Sequence, residues 1–156
     1  MALLAERRLL ITGVLSNRSI AFGVAKACRR EGATLAFTYA SEELKQRVVR
    51  LAAEFGPCPV LPCDVTSDEQ IASLFARLSD EWGALDGMMH SIAFAPREAL
   101  AGDFLDGMSR TAFAIAHDVS SYSLTALARG ARPLMAGRNA SIVTLTYLGA
   151  MRAVAN

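Results

Sequence analysis

Short apolar runs alternate with longer amphipathic stretches along the whole chain. Arg8-Leu9-Leu10-Ile11-Thr12 reads as a first strand. Ile20, Val24, Ala27 and Cys28 then recur at helical spacing, which predicts a helix over 19–31. Gly32 stops it as a C-cap. Thr34-Leu35-Ala36-Phe37-Thr38-Tyr39 is rich in β-formers and predicts a second strand. Ser41 is the expected cap of a helix running to about Phe55, with Glu42 and Glu43 opposing its dipole. Gly56 ends that helix, and Val60-Leu61-Pro62-Cys63 follows as a third strand. Pro59 and Pro62 cannot donate ladder bonds, so this strand is expected at a sheet edge.

Ser67 predicts the cap of a third helix to about Trp82, with Ile71, Leu74, Phe75 and Leu78 facing inward. Asp86-Gly87-Met88-Met89-His90-Ser91-Ile92 contains a fourth strand. Residues 93–106 read as a long loop or a short helix. A long helix is expected from about Ser109 to about Met135, and Ser141-Ile142-Val143-Thr144-Leu145-Thr146 as a fifth strand. Strands alternating with helices imply βαβ units and a parallel sheet. Right-handed crossovers covering both faces give an α/β, doubly wound, Rossmann-type fold. Ligands bind such sheets at the carboxyl ends of the strands.

Composition narrows the classes. The 156 residues are 53% apolar and 20% charged, with a net charge of +1. That suits a single globular domain and excludes a disordered chain. There is no basic run for nucleic acid and no apolar run of membrane-spanning length. Cys28, Cys58 and Cys63 are too few and too irregular for a disulfide framework or a zinc site, so no metal is expected. Met1 to Arg8 has no signal-peptide layout, which points to a cytoplasmic protein. Only two of the 16 basic residues are lysines, Lys26 and Lys45.

The turn after the first strand is Thr12-Gly13-Val14-Leu15-Ser16-Asn17-Arg18-Ser19-Ile20-Ala21-Phe22-Gly23. A glycine there permits a tight turn, and small residues near a helix start let N–H groups approach a pyrophosphate. It is not G-x-G-x-x-G. Taken alone, it supports a nucleotide site and an ordinary strand-to-helix turn about equally.

Read whole, the turn resembles that of the bacterial enoyl-acyl-carrier-protein reductases, divergent members of the short-chain dehydrogenase/reductase superfamily. The match rests on Gly13 with Ser19-Ile20-Ala21, Phe37-Thr38-Tyr39, Cys63-Asp64-Val65 and His90-Ser91-Ile92-Ala93-Phe94-Ala95-Pro96. Ile115-Ala116-His117-Asp118-Val119-Ser120-Ser121-Tyr122-Ser123 and Thr144-Leu145-Thr146-Tyr147-Leu148-Gly149-Ala150 extend it across the chain.

The resemblance implies NADH as cofactor, held by Gly13, Ser19, Ile20, Asp64, Val65, Ser91, Ile92 and Ala93. Asp64 would accept from the adenine amino group, or merely cap a turn. Ala95 would border the acyl substrate, a trans-2-enoyl thioester on acyl carrier protein. Tyr147 would be an active-site tyrosine whose phenol stabilises an enolate oxygen. His90 and His117 read as helix or strand residues with satisfied rings rather than as acids or bases. Met88 and Met89 read as packing. The family forms homotetramers, to which the long helix from Ser109 would contribute.

Three departures stand out. Ala40 replaces a polar side chain facing the adenosine. No acidic residue and no arginine ends the second strand, which favours NADH over NADPH on the missing arginine. Leu15 is bulkier than the family's alanine and could crowd the cofactor turn. Superfamily catalysis also pairs a tyrosine with a lysine four or seven residues on. Tyr147 is followed at those steps by Met151 and Val154, Tyr122 by Ala126 and Arg129, and Tyr39 by Glu43 and Gln46.

The expectation is therefore a dinucleotide-binding domain over 1–156, truncated after the fifth strand. Its catalytic helix and later strands would be absent and its turnover negligible. Apolar surface along the fifth strand and the long helix should be exposed. The rival readings are a non-catalytic NAD-binding or assembly module, another short-chain reductase acting on a ketone or imine, and a doubly wound methyltransferase.

Overall fold

In the computed structural model, residues 2–152 are described. Five parallel strands form one sheet in the order β3-β2-β1-β4-β5. They are β1 Arg8–Ile11, β2 Thr34–Tyr39, β3 Val60–Pro62, β4 Gly87–His90 and β5 Ser141–Thr144. The chain steps outward from β1 to β3, then returns to place β4 on the other side of β1. The topological switch point thus lies between β1 and β4, where Leu10 stands opposite both Ala36 and Met88.

The period-two alternation of the strands divides the core into two layers. Ile11, Leu35, Phe37 and Met89 face α1 (Ile20–Arg30) and α2 (Glu42–Ala52). Leu10, Ala36, Leu61 and Met88 face α3 (Asp68–Trp82) and α6 (Ser123–Met135). Helices on both faces are what the doubly wound expectation required. Ile71, Leu74, Phe75 and Leu78 of α3 are all buried, and the Ser67 hydroxyl accepts from the Gln70 N–H as its cap. α3 and α6 approach closely because Gly130 has no side chain. A Cβ there would lie 2.3 Å from the Phe75 ring.

β3 is indeed an edge strand, but it ends at Pro62 rather than Cys63. β5 ends at Thr144 rather than Thr146. Ser41 precedes α2 without a side-chain cap bond, so the acidic first turn and the Ser41 carbonyl start that helix instead. Residues 93–108 contain a 3₁₀ turn, Arg97–Leu100, and a one-turn helix α4, Phe104–Gly107. The long helix is not uniform. It comprises α5 (Arg110–His117), a π-turn (Asp118–Tyr122) and α6. β5 is exposed along its length, with Val143 at 56%.

Opposite the ligand end of the sheet, Asp86 is buried and ties three segments together. It accepts from the Arg8 N–H at 3.0 Å and pairs with Arg7 at 2.9 Å and Arg138 at 2.7 Å. Burial pushes its carboxyl up. The Arg8 N–H and the guanidinium groups of Arg138 and Arg7 outweigh that, and the net direction is down. Such a pair specifies where the start of β1, the start of β4 and the α6–β5 connection meet.

Candidate functional site

A cleft of about 260 Å³ opens at the carboxyl ends of the strands, over the switch point. Gly13 and Leu15 border it after β1, Thr38 to Ala40 at the end of β2, and Cys63 to Val65 after β3. Ser91 to Phe94 border it after β4. Six of the eight residues proposed from sequence for the dinucleotide therefore converge here: Gly13, Asp64, Val65, Ser91, Ile92 and Ala93. Ser19 and Ile20 are not among the lining residues. The Ser19 hydroxyl caps α1 by accepting from the Phe22 N–H and donates to the Ser16 carbonyl, while Ile20 is 63% exposed.

Gly13 explains why the turn has its shape. Its φ is +77°, a left-handed conformation that favours glycine. A Cβ would also stand 1.7 Å from the Ser91 carbonyl oxygen. Thr12 fastens the same crossing. Its hydroxyl donates to the Met89 carbonyl at 2.9 Å and accepts from the Ser91 N–H at 3.2 Å. β1 and β4 thus leave the sheet with their backbones in contact, and that contact forms the cleft floor. Sequence reasoning overlooked Thr12.

Asp64 does cap a turn: its Oδ1 accepts from both the N–H and the hydroxyl of Thr66. Because Oδ1 takes both bonds, Oδ2 is available to a ligand. Cys63 has its thiol pushed up to about 12, by burial first and by the Asp64 charge second, so it presents no thiolate at neutral pH.

No acidic residue ends β2 itself, yet Glu42 folds back to it and accepts from the Tyr39 hydroxyl at 3.0 Å. Lys45 pairs with the same carboxylate at 3.0 Å and lies over the Tyr39 ring. Hydrogen bonds from Lys45 and then Tyr39 hold the Glu42 carboxyl below its ordinary value. A smaller cavity of about 250 Å³ adjoins the cleft here, sharing Tyr39 and Ala40 with it. The only sequence signal is the Tyr39–Glu42 spacing of three, and from sequence Glu42 reads simply as part of a helix start. Leu15 lines the cleft while remaining 45% exposed, so it lies at the mouth.

Beyond Phe94 lies an open apolar basin of about 570 Å³, to which Ala95, Leu100, Phe104 and Phe113 contribute. Ala93 and Phe94 line both cavities, so they form the partition between them. Tyr147 is 68% exposed and is not among the residues lining either. His117 was expected to have a satisfied ring. It is instead exposed beside Phe113, with ring centroids 5.4 Å apart.

His90 is buried and satisfied, as expected. Its Nδ1 is 3.0 Å from the Thr144 hydroxyl and its Nε2 is 2.8 Å from the Ser123 hydroxyl. Ser123 donates its one hydroxyl proton to the Val119 carbonyl at 2.7 Å. Nε2–H then donates to Ser123, and Nδ1 accepts from Thr144, whose hydroxyl lies farther, at 3.5 Å, from its other acceptor, the Leu145 carbonyl. Burial lowers the pKa of His90, which keeps the ring neutral and consistent with this tautomer. Among the described residues no cluster of His, Cys, Asp and Glu could hold a metal, and no helix is long and apolar enough to cross a membrane.

Comparison with known proteins agrees with this geometry. The family model described as enoyl-(acyl carrier protein) reductase matches residues 13–156. The NADH-type enoyl-[acyl-carrier-protein] reductase FabI of Neisseria meningitidis is 56% identical over all of this chain and 60% of its own length. The Escherichia coli FabI is 47% identical over all of this chain and 59% of its own. A crystal structure of the Aquifex aeolicus enzyme superposes with a TM-score of 0.93 at 52% identity, covering 97% of this chain and 60% of that one. The Anaplasma phagocytophilum reductase, solved in complex with NAD, gives 0.91 at 39% identity over 97% and 57%. The chain spans about 60% of the length of these relatives. On sequence and fold alike, the chain belongs to the enoyl-(acyl carrier protein) reductase family.

Proposed function

We propose that the cleft binds NADH and that the protein serves the reduction of trans-2-enoyl-acyl carrier protein to the saturated acyl thioester. One observation carries this reading. Gly13 and Ser91 meet at the switch point so closely that only a glycine fits, leaving bare backbone where a dinucleotide must approach. The residues present fit that group. Asp64 Oδ2 would take the adenine amino group, the Val65 backbone would lie beside it, and Ser91, Ile92 and Ala93 would flank the ribose. Ser19 and Ile20 would serve through the start of α1, whose free N–H groups would attract the pyrophosphate.

When bound, NADH supplies a hydride to the β-carbon of the enoyl group. The chain's own residues hold and polarise the substrate. The basin lined by Ala95, Leu100 and Phe104 would take the apolar acyl group away from water. Tyr147 would donate its phenolic O–H to the thioester carbonyl oxygen, where negative charge develops. The exposed apolar residues of α5 and β5, such as Phe113 and Val143, support a homo-oligomer, with the family's tetramer as the proposed form. A cytoplasmic location is proposed with it.

The test is titration of this chain with NADH, followed by nicotinamide fluorescence. Saturable binding that NAD competes away is expected. Absence of binding overturns the reading, and binding of a methyl donor in place of NADH would favour the methyltransferase alternative.

A further inference from the structure

The π-turn Asp118–Tyr122 interrupts a helix whose neighbours on both sides are regular. Its widened turn is closed by the Ser123 N–H donating to the Asp118 carbonyl, five residues back. Such turns are rare and occur frequently at functional sites. Two serines on or next to this one reach the exit of β4. Ser123 takes the Nε2–H of His90, the last residue of the strand. Ser120 takes the N–H of Phe94 at 3.0 Å and returns its own O–H to the Phe94 carbonyl, also at 3.0 Å. One hydroxyl thus satisfies both backbone groups of a single residue.

Between those anchors lie only Ser91, Ile92 and Ala93, which line the cleft. Val119, from the same turn, lines it as well. Phe94 is the partition shared with the apolar basin. The path of the cleft wall is therefore held at both ends by the π-turn. Phe94 itself has no burial to hold it, being 54% exposed.

We propose that Ser120 is a positioning residue: its two hydrogen bonds to the Phe94 backbone fix the wall between the dinucleotide cleft and the acyl basin. This rests on reading the cleft as an NADH site. Ser120 lines the acyl basin but not the dinucleotide cleft, so Ser120→Ala removes the clamp without removing a side chain from the cleft. It should raise the rate of hydrogen exchange at the Phe94 amide about tenfold or more and leave the Leu10 amide unchanged. NADH affinity should fall about three- to tenfold while the melting temperature stays close to that of the parent. Ser120→Thr retains the hydroxyl and should restore both.

Three results would overturn the proposal. They are an unchanged Phe94 amide in the alanine variant, unchanged NADH affinity despite faster exchange, and no recovery in the threonine variant. If the parent chain binds no NADH at all, the functional reading fails, while Phe94 exchange still decides whether the clamp exists.

Discussion

The carbonyl oxygen of Ser91 occupies the place where a side chain on Gly13 would begin, 1.7 Å from its ideal Cβ. Neither backbone can yield alone, because Thr12 bonds to Met89 and Ser91 on either side of the contact. Gly13→Ala must therefore separate β1 from β4 at the cleft floor, and it also places a side chain at a left-handed φ, which costs about 1–2 kcal/mol. Loss of NADH affinity by about tenfold or more is expected, with a lowered melting temperature. A variant with parental affinity would show that the crossing does not shape the cleft.

Asp86→Ala should destabilise the fold by about 2–4 kcal/mol, because it strands the Arg8 N–H and leaves Arg7 and Arg138 without their shared carboxylate. Urea denaturation measures this. NADH affinity under native conditions should be little changed, since the pair lies at the far end of the sheet.

Two groups set the acid limit of stability. His90 has a folded pKa below its unfolded value of about 6.5, so its contribution is complete above that value and is lost as pH falls below it. Asp86 is also depressed, from an unfolded value of about 3.9, so its contribution fades only below about pH 4. Stability should decline in two stages on acidification. His90→Gln should remove the earlier stage, and nitrogen chemical shifts at pH 7 should report a neutral ring protonated on Nε2.

Glu42 cancels the charge of Lys45 beside the end of β2. Glu42→Gln would leave that lysine uncompensated. It should raise NADPH affinity relative to NADH about three- to tenfold at low salt, and less at high salt because both groups are exposed. An unchanged ratio of the two dissociation constants would remove Glu42 from cofactor choice.

Gly130→Ala should cost about 1–3 kcal/mol by overpacking, since the added methyl would enter the Phe75 ring, which is buried between α3 and α6. Thermal unfolding is the readout. A change below 0.5 kcal/mol, about the scatter of a surface substitution, would mean the helices can part without penalty.

Much of this could be read from residues alone, where one local rule decides. α3 announced itself because Ser67, Ile71, Leu74, Phe75 and Leu78 combine a cap with helical spacing. β3 fell at the edge because prolines leave a strand few other places. The π-turn was invisible: a helical period over 109–135 does not show that one turn carries an extra residue. The Glu42 fold-back was hidden for a related reason. Whether a carboxylate three residues past a strand returns to it depends on the first turn of α2, not on composition. Tyr147 follows β5 in the chain yet lines neither cavity, because its exposure depends on packing that no local rule describes.

The parallel sheet also sets how the molecule must assemble. β1 leaves the ribosome first and becomes the central strand, yet Thr12 and Met89, which fasten it to β4, are 77 residues apart. The half comprising β1, α1, β2, α2 and β3 can form early from nearer contacts, with one side of β1 still bare. Closing that side carries the large loop entropy of a distant pairing, so it should set the pace of folding. The cleft floor, built at this same seam, would then form only once β4 has closed on β1, and a ligand seated there would select chains in which that pairing is made.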